Sequence, residues 1–206
     1  MAERLAGGNV ALALLANTLA TGAALVALIV TFGPVSGAHL NPVVTLSVAF
    51  ENGLPWRDLP LYVIGQMVGG LCGVVVAHLM FGLTLFSPSQ HVRSGYAQVF
   101  SEFVASFGLL SVIWGCTRFR PQAVPFAVAS YIMAAYWFTA STSFANPAVT
   151  VARSLSDTFS GIRPVDVPWF VLAQIAGALT ATLLFRWFFH GLTGDAQTVT
   201  VPHDND

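Results

Sequence analysis

The length of its apolar runs constrains this chain more than any other feature. Five runs, residues 9–34, 61–86, 97–117, 123–141 and 167–190, are long enough to cross a bilayer, which takes about 20 residues as a helix. Two more, 43–50 and 148–155, are too short to cross, and each follows directly on an Asn-Pro pair, Asn41-Pro42 and Asn146-Pro147. Asn is a favoured helix N-cap, and Pro suits the first helical position because its missing N–H would have had no partner there. A bilayer interior offers no water to unpaired backbone, so a helix that stops midway must line a cavity or be buried in protein. The pattern predicts an all-α membrane protein with five full transmembrane helices and two re-entrant half-helices.

Composition agrees. Of 206 residues, 55% are hydrophobic and 8% charged, against about a quarter charged in a soluble domain; mean hydropathy is +0.72. All eight basic residues are Arg, and a net charge of -1 gives no reason to expect a nucleic-acid partner. Cys72 and Cys116 lie in apolar segments and read as small core residues, so neither a disulfide framework nor a metal site is expected. No basic leader with a cleavage site precedes the first run, so no signal peptide is expected. Polar joints fall at 51–58, 87–94, 118–122 and 157–166, and the polar tail 191–206 reads as disordered. The arginines divide evenly between the two sides, so positive-inside counting does not orient the chain.

An internal duplication organises these runs. Asp58-Leu59-Pro60-Leu61-Tyr62-Val63-Ile64-Gly65-Gln66 returns as Asp166-Val167-Pro168-Trp169-Phe170-Val171-Leu172-Ala173-Gln174, 108 residues later, and the Asn-Pro pairs are 105 apart. The chain is therefore one domain, 1–206, of two repeats, 1–95 and 96–190, with the tail after them. An odd number of spans per repeat inserts the copies in opposite orientations, as in many membrane transport proteins. The second repeat opens with a span containing Glu102; an offset of 105 puts that glutamate's twin before Met1, so the first repeat is expected to lack its own first helix.

Two Asn-Pro-small motifs after Ser-Gly-Ala-His and Ser-Phe-Ala, Glu102 on the span that opens the second repeat, and Gln-x-x-Gly in both repeats resemble the aquaporin and aquaglyceroporin (major intrinsic protein) family. The resemblance implies six tilted helices and two half-helices per protomer, a pore through each protomer, a homotetramer, and a multi-pass protein of the cell inner (plasma) membrane. No cofactor is implied. The pore constriction would fall on Asn41, Pro42, Val43, Asn146, Pro147 and Ala148. Both helix N-termini and both Asn amides would face the lumen, donating to a passing solute and opposing cations. Val43 replaces the usual Ala and is expected to add bulk there. Glu102 would brace the loop carrying Asn146, while the loop around Asn41, without such a brace, would be less firmly held. His39 is read as lining the pore mouth or holding its loop. Gly65, Gly69 and Gly73, and Ala173, Gly177 and Ala181, make small-residue faces for helix packing.

Selectivity is where the chain departs from its family. The usual filter Arg, three residues after the second Asn, is Val149 here, and by spacing the other filter positions are Thr21, Ala134 and Ser143. With no aromatic or charged group among them, the expected aperture is wide and passes water, glycerol-sized polyols, urea or undissociated metalloid acids such as arsenite, as in bacterial channels associated with arsenic handling. Arg153, one turn beyond Val149, is assigned to capping loop carbonyls around 154–161 in preference to the pore. The rival readings are a water-selective channel, a secondary transporter, which would need an ion site such as an intramembrane carboxylate, and a non-conducting remnant. An intramembrane enzyme is set aside, because no carboxylate stands where it could orient His39 toward Ser36 or Ser143.

Overall fold

The structure is a computed structural model and describes residues 1–189; the tail reading at 191–206 lies outside the described residues. Among the described residues the regular structure is helical: α1 Ala2–Leu5, α2 Val10–Ser36, α3 Pro42–Phe50, α4 Leu59–Phe81, α5 Tyr96–Phe119, α6 Val124–Phe138, α7 Pro147–Arg153 and α8 Val167–Phe188. Four segments are long and apolar enough to cross a membrane: Val10–Ser36, Leu59–Phe81, Tyr96–Phe119 and Pro164–Phe188. The run expected over 123–141 is shorter. It is a 15-residue helix, α6, preceded by a single 3-10 turn at Pro121–Ala123. It ends early because Thr139 turns extended and the next residues are drawn into a loop that Glu102 holds.

Both short helices begin where the Asn-Pro pairs put them. Asn41 and Asn146 sit in extended backbone as N-caps. The Oδ1 of Asn41 accepts from Val43 N–H, and that of Asn146 from Ala148 and Val149 N–H. Long helices surround these two. α5 and α8 form the most extensive pair, followed by α2 with α6, and α4 lies against α7 and α3. The α5–α8 seam is close because Gly177 has no Cβ; one there would land on the Phe103 carbonyl oxygen. Trp114 of α5 closes the seam by donating to the Thr182 hydroxyl at 3.0 Å.

Candidate functional site

The half-helices meet at their N-termini. Asn41 Nδ2 donates across to the Ala145 carbonyl at 2.7 Å, and Asn146 Nδ2 donates to the Leu40 carbonyl at 2.8 Å. Each carboxamide thus caps its own helix through oxygen and ties the opposite loop through nitrogen. One N–H of each amide remains for another acceptor. The loops reach this geometry with matching backbone. Ala38 and Leu40 in the first and Ser143 and Ala145 in the second all have positive φ, between 43° and 51°. Left-handed backbone at a non-glycine residue costs about 1–3 kcal/mol and persists only where surrounding contacts over-determine it.

In the second loop those contacts come from Glu102, which is fully buried. Its Oε1 accepts from Ser141 Oγ (2.6 Å) and Phe144 N–H (2.8 Å), and its Oε2 from Ala145 N–H (2.8 Å) and Gln174 Nε2 (2.6 Å). Gln174 also donates to Thr150 Oγ1 at 2.9 Å. The first loop has no carboxylate partner among the described residues. Gln66 donates to Thr45 Oγ1 at 2.8 Å, Thr45 donates to the Asn41 carbonyl, and His39 Nδ1 meets the same hydroxyl at 3.2 Å. The His39 ring also lies 5.5 Å from that of Tyr62. His39 both holds its loop and borders the cavity.

A cavity of ≈ 170 Å³ runs past the paired asparagines. Thr21, Leu25 and Ile29 of α2 line it at four-residue spacing, as do Val124, Val128, Ile132 and Tyr136 of α6; Ser143, Phe144, Val149 and Arg153 line it as well. Pro42, Pro147 and Ala148 are buried at the helix starts, and Ala148 borders a second, open groove beside α4.

The family model of the major intrinsic protein family matches residues 3–124 and 116–205. The chain belongs to that family. It is 54% identical over 187 residues to aquaglyceroporin AqpS of Rhizobium meliloti (strain 1021), covering 91% of this chain and 80% of that one. Identity is 34% over 184 residues to aquaporin NIP1-4 of Oryza sativa subsp. japonica, covering 86% and 65%. It is 31% over 118 residues to the glycerol uptake facilitator protein of Bacillus subtilis (strain 168), covering 50% and 42%.

Three sequence-based placements change in this major intrinsic protein. Ala134 is exposed and does not line the cavity. It lies two residues from both Ile132 and Tyr136, about 200° around the helix, so the aromatic Tyr136 takes the inward place. Its hydroxyl meets Thr21 Oγ1 at 3.4 Å. Val43 is buried in the core and Val44 borders the cavity, so Val43 adds no bulk at the junction. Arg153 makes no hydrogen bond to loop carbonyls among the described residues; its Nη2 donates to Tyr136 Oη at 3.3 Å and its guanidinium lies 4.4 Å over the Phe144 ring. The loop is capped by Arg93, which donates to the carbonyls of Ser141, Phe159 and Gly161. Tyr136 was legible as the fourth member of an i, i+4 stripe. Nothing in the sequence marked Arg93, which reaches its partners across 48 to 68 residues.

Proposed function

We propose that this chain is a passive channel for small neutral hydroxylated solutes: water, glycerol-sized polyols and uncharged metalloid acids such as arsenite. It would work as a homotetramer in the cell inner membrane. The observation that carries the reading is the cavity threading between two carboxamides, each with an N–H beyond the one tied to the opposite loop. A solute oxygen can accept from these in turn, replacing part of its hydration, while apolar walls of Val44, Val128 and Ile132 leave a second hydration shell no partner. Ser143 strengthens the reading. Its hydroxyl is buried at the cavity, and its oxygen has no hydrogen-bond partner among the described residues. An unpaired buried hydroxyl costs about 1–3 kcal/mol, so this position favours a polar neighbour. Val149 leaves space where the family carries a guanidinium, which supports solutes wider than water; the Tyr136 ring makes the opening narrower than four small residues would.

Stopped-flow swelling of proteoliposomes with water, glycerol and arsenite tests this. Glycerol and arsenite are expected to enter down their gradients without saturation, and Val149→Arg to slow glycerol by about tenfold or more, the effect of some 1.4 kcal/mol on the barrier. Water passing while both larger solutes are excluded overturns the wide-aperture reading, and uphill, saturable uptake replaces the channel by a transporter.

A further inference from the structure

The Asn-to-Arg153 spacing is seven residues, two turns less about 20°, so Arg153 stands on the same face of α7 as Asn146, two turns further along. Beyond the cavity described above lies another of ≈ 210 Å³, lined by Asn17, His91, Arg93, Gln98 and Thr142 among others. Arg153 is the residue the two cavities share. There its side chain is fixed on two sides, by the hydrogen bond to Tyr136, which in turn meets Thr21, and by the face of Phe144. Phe144 carries Arg93 at its ring as well, 4.8 Å from the centroid.

We propose that Arg153 is the charge-selective residue of this channel, a guanidinium held by Tyr136 and Phe144 on the wall that the two cavities share, which rejects cations and offers donors to neutral solutes. The proposal deepens the channel reading and rests on it. Arg93, the other cation near this point, is not available for the task. Its guanidinium is consumed by three loop carbonyls, and burial, then repulsion from Arg153, bring it down to about 10, which leaves it charged at neutral pH. Arg153 gives one hydrogen bond to Tyr136 out of five N–H donors, and among the described residues no carboxylate forms an ion pair with it. A guanidinium without an ion-pair partner beside a narrow, low-dielectric path opposes a passing cation, while a neutral polyol feels only the donors. Val149 opens the usual filter position, and the cation four residues on keeps the opening from becoming a leak.

The test uses the full chain in proteoliposomes, reading glycerol swelling and, in parallel, proton and Na⁺ leak under a K⁺ diffusion potential, for the wild type, Arg153→Lys, Arg153→Met and Arg153→Gln. Expected is a ratio of cation leak to glycerol flux raised about tenfold or more in Arg153→Met and Arg153→Gln, and within about twofold of wild type in Arg153→Lys. The Met and Gln variants are read separately, so that loss of folding in one leaves the other decisive. A leak unchanged in a folded Met or Gln variant that still passes glycerol overturns the proposal and leaves the channel reading standing. A leak raised equally in the Lys variant overturns it too, because charge would not be the operative property. Failure of the wild type to pass glycerol strikes the solute reading instead, and the leak comparison still decides the role of Arg153.

Discussion

Helix α8 carries Ala173, Gly177 and Ala181 down one face, and α4 carries Gly65, Gly69 and Gly73 at the matching places of its own repeat. On α8 this face is filled by α5, so closely that a Cβ at Gly177 would strike backbone atoms of Phe103 and Phe107. On α4 a Cβ at Gly65, Gly69 or Gly73 would meet nothing within 4 Å, and a groove of ≈ 480 Å³ opens there. The polar connections differ in the same sense. Gln174 donates to both Thr150 and Glu102, whereas Gln66 donates to Thr45 alone; the Oε1 of each has no partner among the described residues. At the far ends of the half-helices the repeats diverge as well. Arg186 faces the Glu51 carboxylate at 3.9 Å, while its counterpart His78 meets Ser156 at 2.9 Å. A small-residue face is thus permission for close packing and not packing itself; the neighbour decides whether it is a seam or an open wall.

The largest effect that would break this comparison is expected at Glu102. Glu102→Ala strands four buried donors, at about 1–3 kcal/mol each, and is expected to abolish the folded state, read as loss of a cooperative thermal transition in detergent. A variant that melts like the wild type would mean the second loop needs its carboxylate no more than the first does. Gly177→Ala against Gly69→Ala sharpens the contrast at the helix faces. The first is expected to cost about 1–3 kcal/mol through overpacking, and the second to leave the melting temperature unchanged; equal effects would show that the groove beside α4 is filled in the membrane. The smallest difference is expected between the glutamines. Gln66→Leu removes one hydrogen bond to Thr45, worth about 1 kcal/mol, and is expected to cost less than Gln174→Leu, which also strips a partner from Glu102. Thermal melts of the two variants side by side would reverse the assignment if Gln66→Leu proved the more damaging.

Much of the architecture was legible because it follows from local rules. The half-helix starts at Asn41 and Asn146 came from capping chemistry, the long helices from run length, and the pairing of repeats from the 105- and 108-residue offsets. The brace at Glu102 was legible through the family resemblance. The filter was read less well, for a physical reason. Family spacing places Ala134 on a helix separated from Asn146 by a loop of irregular backbone, and a shift of two residues turns a helical side chain to the opposite face. The stripe Val124, Val128, Ile132, Tyr136 belongs to the helix itself and carries no such error.

What the sequence determined by itself was the membrane class and the two capped half-helices, and it places Val149 three residues after Asn146. Tertiary structure alone decided that Tyr136 and Arg153 meet over Phe144, that Arg93 is spent on loop carbonyls, and that α8 is covered while α4 is bare. These depend on which side chains from distant segments arrive at one place, and neither helical period nor local propensity encodes that meeting; the folding of α5, α6 and the loops around the half-helices does.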